Sequence, residues 1–129
     1  MRIRMSKTYL KNRLSDIAYE VTQNSKTEKA FTGKFFDFFE DGIYKCICCD
    51  LELFSSKGKF KSSSGWPSFH SPLKTGIVDL IEDNSFGMKR LEVKCTNCKS
   101  HLGHVFDDGP PPSHMRFCIN SAALDFEKK

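Results

Sequence analysis

Residues 95–121 read Cys95-Thr-Asn-Cys98, then His101-Leu-Gly-His104-Val-Phe-Asp107-Asp108-Gly109-Pro110, then Arg116-Phe117-Cys118-Ile119-Asn120-Ser121. The stretch holds a CxxC pair, two of the chain's 4 histidines, paired aspartates and a cysteine outside any pair. A second pair, Cys46-Ile-Cys48-Cys49, lies far upstream. Two CxxC turns can present four thiolates to one tetrahedral ion at about 2.3 Å, the usual arrangement of structural zinc. Cys46, Cys49, Cys95 and Cys98 would close the coordination sphere and leave no position at which water is activated. The alternatives are two buried reduced pairs or a redox-active CxxC, and a redox motif leaves the duplication unexplained. Cys48 offers a third sulfur in the first turn, either a small side chain at a metal knuckle or a thiol used in redox recycling.

Working outward, the chain reads as short strands around these turns. Ile43–Cys46 and Leu51–Phe54 flank the first pair. Ile77–Ile81 and Met88–Cys95 lead into the second, with Asp83-Asn84-Ser85 as a hairpin turn between them. Val105-Phe106, Met115–Ile119 and Leu124–Phe126 follow, and Asp108-Gly109-Pro110-Pro111-Pro112 breaks regular structure. Upstream, Leu10, Leu14, Ile17, Ala18 and Val21 mark one apolar face of a helix over residues 6–23, with Ser6 as N-cap and Asn24-Ser25 ending it. Residues 25–42 look irregular and crowd five phenylalanines (Phe31, Phe35, Phe36, Phe38, Phe39) that would wrap a core. One helix followed by short strands predicts a mainly β fold with a mostly antiparallel sheet.

The 129 residues fit one domain, and 39% hydrophobic residues, twelve of them Phe, suffice for a packed core without disulfides. No apolar run approaches a membrane span, and the basic N-terminus lacks the apolar segment of a secretory signal. A cytoplasmic protein is expected, in which six cysteines point to metal or catalysis. The net charge of +4 resides in residues 1–29, so the cysteine-rich part has no basic footprint for nucleic acid. The one local exception, Lys57-Gly-Lys59-Phe-Lys61, reads as a solvated loop.

Cys118 lies in an alternating run, so Arg116, Cys118 and Asn120 share one face. A nearby guanidinium favours a thiolate, which makes Cys118 a candidate nucleophile; a buried core cysteine is the equal alternative. His101, His104, Asp107 and Asp108 are further metal ligands, surface groups, or acid and base groups if the second CxxC turn brings them beside Cys118.

Taken together, these motifs resemble the methionine-R-sulfoxide reductase B family. The resemblance rests on Tyr44-Lys-Cys46-x-x-Cys49, Leu53-Phe-Ser-Ser56, Lys59-Phe60, Gly65-Trp66-Pro67-Ser68-Phe69, and the whole of residues 95–121 quoted above. It covers residues 28–126, which become the expected catalytic core of a single domain 1–129, after an extension at 1–5 and the helix at 6–23. It implies two antiparallel sheets clipped by one structural zinc ion (Zn2+), a β-tent-like arrangement. It implies reduction of the R epimer of methionine sulfoxide, preferably in a peptide, the chemistry that reverses methionine oxidation. By position Cys118 matches the nucleophile, and His101, His104, Asp108, Arg116 and Asn120 match the polar groups around it. Trp66 matches the wall that receives the substrate methyl group, with Phe69 and Phe117 expected in the same substrate site. One histidine, oriented by Asp108, would protonate the departing oxygen. Many family members carry a resolving cysteine immediately before Gly-Trp-Pro. Here that position is Ser64, so thioredoxin or another external thiol is the expected reductant, with no nucleic acid, no membrane and a monomeric state. A non-catalytic zinc-ribbon module or a thiol-based oxidant sensor would account for fewer of these residues.

Overall fold

The computed structural model describes residues 6–129, and the expected extension at 1–5 lies outside the described residues. Two helices open it. In α1 (Lys7–Arg13) the Ser6 hydroxyl accepts the Tyr9 amide; in α2 (Asp16–Asn24) the Ser15 hydroxyl accepts the Ala18 amide. The single helix expected over 6–23 is therefore broken at Leu14, which is extended (φ −89°, ψ 154°). Ser15-Asp16 favours a helix start over a helix interior, because the serine satisfies a free N–H and the aspartate suits the positive end of a new helix. The break turns Ile17 out to 48% exposure, while Leu10, Leu14, Ala18 and Val21 stay buried.

Residues 26–41 form no helix or strand. Their rings divide: Phe35 packs edge-on against Phe38 and Tyr44, Phe38 packs on Phe126, and Phe31 and Phe39 remain exposed. Lys59 closes this segment from the other side. Contrary to the solvated loop expected for 57–61, Lys59 is buried, donates to the carbonyls of Phe35 and Phe38, and sits over the rings of Phe39 and Tyr44. An ammonium can be buried this way because carbonyl oxygens and ring faces replace its water, and the burial still pushes its pKa down to about 8.

The strands form two antiparallel sheets. β1 (Gly42–Cys46) lies between β2 (Glu52–Ser55) and the last strand, Leu124–Lys128, in a three-stranded sheet. The second sheet has β3 (Lys59–Phe60), β4 (Ser68–Phe69), β5 (Val78–Asp83), β6 (Arg90–Cys95), β7 (His101–Phe106) and β8 (Arg116–Ile119), in the order β3-β4-β8-β7-β6-β5. This is the mainly β, antiparallel architecture that the short runs predict, divided into the two sheets that the family resemblance implies. The bounds differ mainly at β7: it begins at His101, not Val105, so both histidines lie on a strand and not in a loop.

Register then fixes what meets what. Ser68 pairs with Cys118, Cys118 with His104, His104 with Glu92, and Glu92 with Ile81, giving one row across the sheet. Beside it run the pairs Arg116–Phe106 and Arg90–Asp83. The intervening residues Phe69, Phe117, Val105, Ile119 and Val93 are buried in the core, as alternation requires. Among the described residues, no helix is long and apolar enough to cross a membrane.

Candidate active site and metal centre

The two CxxC turns are built alike. The amides of Cys46 and Cys95 donate to the carbonyls of Leu51 and Ser100, at 2.8 and 2.9 Å. The amides of Asp50 and Lys99 donate back to Cys46 and Cys95, also at 2.8 and 2.9 Å. Asp50 and Lys99 both take the left-handed conformation, at φ 65°. Each knuckle ends a strand, β1 or β6, and turns both sulfurs inward. The Sγ atoms of Cys46, Cys49, Cys95 and Cys98 lie within 4.8 Å of one another, with Cys46–Cys98 and Cys49–Cys95 at 3.6 Å. Metal–sulfur bonds of about 2.3 Å in a tetrahedron give sulfur–sulfur edges of about 3.8 Å. The four cysteines therefore fit a single tetrahedral metal ion. The helices close over this end: Arg13 donates to the carbonyls of Ile47 and Cys48, and Gln23 donates to Ser100 Oγ and, at 3.6 Å, to Cys48 Sγ. Cys48 is buried there, outside the four-sulfur set.

Cys118 faces a separate cavity of about 200 Å³ lined by Ser64, Trp66, His104, Phe106, Arg116 and Asn120, together with Thr27, Arg90 and Gly103. The strand alternation read from the sequence is what puts Arg116, Cys118 and Asn120 on this side. β7 can approach β8 closely here because of Gly103: a Cβ at that position would stand 2.0 Å from the Cys118 carbonyl oxygen. Burial pushes the Cys118 thiol above its ordinary pKa, while the nearby Arg116 guanidinium and the Ser64 hydroxyl pull it back. The guanidinium favours the thiolate as expected, yet in this solvent-shielded state desolvation outweighs it.

His104 reaches the cavity. Its Nε2 donates to the Asp83 carboxylate at 2.8 Å, and the contact holds Asp83 well below the usual carboxylate range. His101 does not line the cavity. It is 2% exposed, its Nδ1 donates to Glu92 at 2.6 Å, and its Nε2 has no partner among the described residues. Burial pushes its pKa down, with Glu92 opposing. Asp108 does not orient either imidazole. It grips Arg116 through both oxygens, at 2.8 and 3.2 Å, and Arg116 in turn lies 4.6 Å over the Phe106 ring. That ion pair holds Asp108 below its ordinary pKa and raises Arg116.

Two expected substrate residues are elsewhere. Phe69 is fully buried and stacks on Phe54 at 4.4 Å, and Phe117 packs on the same ring from the core side. Both stand on the face of the sheet opposite Cys118, so neither lines the cavity. The second aromatic wall is Phe106, two residues beyond His104 and thus on the same side of β7. Asp83 and Glu92, the partners of the histidines, also lie outside the expected set; the sequence places Asp83 in a turn. Trp66 is held by its indole N–H, which donates to the Glu28 carbonyl at 3.0 Å. Ser64 lines the same cavity as Cys118 and accepts the Trp66 amide, so a thiol at position 64 would share that cavity with the Cys118 sulfur.

The SelR domain family matches residues 14–128. A peptide methionine sulfoxide reductase MsrB of Thioalkalivibrio sulfidiphilus is 53% identical over 118 residues, 92% of this chain and 86% of that protein. One of Burkholderia multivorans is 53% identical over 121 residues, with 93% and 85% covered. One of Methylibium petroleiphilum is 49% identical over 116 residues, with 90% and 84% covered. With a family match over nearly all of the described residues and half of the aligned positions identical, the chain belongs to the SelR domain family, that of the MsrB proteins.

Proposed function

We propose that the chain reduces the R epimer of methionine sulfoxide, preferably in a peptide, to methionine, as one catalytic domain spanning 1–129. The observation that carries this is the convergence of Cys118, His104, Arg116 and Trp66 on one cavity, in a chain whose relatives are named peptide methionine sulfoxide reductases. The cavity has room for a single small side chain.

The Cys118 thiolate attacks the sulfoxide sulfur and forms an S–S bond. Oxide is a poor leaving group, so the oxygen must be protonated as it departs; His104, held by Asp83, is the group placed to deliver that proton. Arg116, steadied by Asp108, stabilises the attacking thiolate, and Asn120 offers an amide beside it. Trp66 and Phe106 supply the apolar walls for the methyl group. The protonated oxygen leaves as water; a water molecule then attacks the Cys118 sulfur, the S–S bond breaks, methionine and a proton leave, and Cys118 is left as a sulfenic acid. An external thiol such as thioredoxin then attacks that sulfur, water leaves, and a second thiol resolves the mixed disulfide. Ser64 offers no intramolecular alternative. Cys46, Cys49, Cys95 and Cys98 would hold one zinc ion, which when bound supplies cross-linking and no chemistry. The setting we infer is a monomer in the cytoplasm, repairing oxidised proteins.

The test is turnover of separated R and S epimers of a methionine sulfoxide peptide with dithiothreitol, using the wild type and Cys118→Ser. Reduction of R alone, lost in the variant, is the expected result. Turnover of S, or activity surviving in Cys118→Ser, would overturn the assignment.

A further inference from the structure

Glu28 stands outside every motif in the sequence, yet each of its polar atoms is engaged with the candidate site or with the turn that follows Cys118. Its N–H donates to Asn120 Oδ1 at 2.9 Å, and its carbonyl accepts the Trp66 indole N–H at 3.0 Å. Its carboxylate accepts two amides, Ser121 on Oε2 at 3.0 Å and Ala122 on Oε1 at 2.8 Å. The residue is 4% exposed. The chain passes directly over it at Gly33, where a Cβ would come within 2.4 Å of Glu28 Oε2 and of Ser121 Oγ.

These contacts are not interchangeable with an ordinary turn cap. Asn120 precedes the turn Ser121–Ala123 but its side chain does not cap it. The Asn120 amide instead spans from the Glu28 N–H to the Leu102 carbonyl. The free amides of the turn are left to Glu28. A buried carboxylate taking two N–H groups makes charge-assisted bonds, about twice as strong as neutral ones. It thereby anchors a backbone whose own N–H and C=O hold Asn120 and Trp66.

We infer that Glu28 is a positioning residue: it joins the Trp66 wall and the Cys118–Asn120 strand into one rigid unit, setting the width of the substrate cavity. The inference rests on the reductase reading for its kinetic arm only. Trp66 is the only tryptophan, so its fluorescence reports the wall directly, with or without turnover.

The experiment compares wild type, Glu28→Gln and Glu28→Asp. In Glu28→Gln the carboxamide can accept only one of the two amides and turns its NH2 against the other. The expected result is a shifted Trp66 emission in the folded state and KM for the sulfoxide peptide raised by about tenfold, the scale of one lost charge-assisted hydrogen bond. The midpoint of Cys118 alkylation against pH should also fall, because Glu28 repels the thiolate. Glu28→Asp keeps the charge but is one methylene short, so KM rises while the alkylation midpoint stays. If Glu28→Gln does not fold, Glu28→Asp decides on emission and KM. A lower melting temperature with unchanged emission and unchanged KM would overturn the inference, leaving Glu28 as a support of the fold alone. A wild type without turnover would instead defeat the reductase reading, and emission and alkylation would still decide the role of Glu28.

Discussion

The cysteine cluster and the Cys118 cavity use the same side chain and are assembled in opposite ways. The cluster is two copies of one local turn, each bonded within itself from Cys46 to Leu51 and from Cys95 to Ser100. Only the meeting of the two turns needs the rest of the chain. The cavity has no local unit. Its thiol, imidazole, guanidinium and indole come from β8, β7 and the loop before β4, and they meet because of sheet register. Local repetition makes a site that is matched and closed. Long-range register makes one that is mixed and open to a ligand, and every part of it depends on how the strands align.

The largest expected effect separates the two directly. Cys118→Ser should lower turnover by more than about a thousandfold, since the nucleophile is lost, with metal content and melting unchanged. Cys98→Ser should do the reverse in kind: metal is lost, and the melting temperature falls with it because structural metal binding is folding energy. Metal analysis and thermal melts on both variants check this. A Cys98→Ser protein that melts like the wild type would show that the cluster does not clip the fold.

Register dependence gives the next effect. Gly103→Ala puts a methyl group against the Cys118 carbonyl, and since both are backbone-fixed, β7 and β8 must part. Overpacking of this kind costs about 1–3 kcal/mol, and turnover should fall while the distant knuckles keep their metal. A smaller change is Ser64→Cys, which sets a thiol in the same cavity as Cys118. After one turnover without added reductant, two thiols per chain should be lost to titration, where the wild type forms only a sulfenic acid. Smaller again is Arg116→Met. Burial raises the Cys118 pKa and Arg116 lowers it, so removing the guanidinium should move the alkylation midpoint to higher pH. A midpoint moving down would mean that Arg116 does not face the thiolate.

The same contrast explains what could be read before the fold was known. The four clustered cysteines are legible because a knuckle is written in adjacent residues. Arg116, Cys118 and Asn120 were legible because a strand has period two. That period also excludes Phe117 from the cavity and, applied to β7, selects Phe106 through His104. Phe69 falls to the core by its pairing with Phe117. The partners Asp83 and Glu92 were not legible: they depend on the β6–β7 register, which shifts between Val93 and Lys94. The broken helix was half legible, since Ser15-Asp16 is a helix start that the apolar spacing masks. Glu28 carries no local signal at all, because its partners lie at residues 66 and 120–122.

Cys48 is the residue that tests whether the two ends stay apart in catalysis. It is a fifth sulfur at the cluster, and with serine at position 64 it is a conceivable partner for oxidised Cys118. Thiol–disulfide exchange requires the attacking thiolate to reach the target sulfur in line. Cys48 is buried, its sulfur is held by Gln23 of α2, and its carbonyl is held by Arg13. Freeing it would mean undocking both helices from the first knuckle, which would disturb the neighbouring cysteines Cys46 and Cys49. The expected effect of Cys48→Ser is therefore the smallest: turnover driven by thioredoxin or dithiothreitol stays at the wild-type level, with metal retained. The decisive measurement is a burst experiment. One equivalent of methionine formed and then no steady state would mean that Cys48 does reach Cys118, and that the fold opens at the metal end in each cycle.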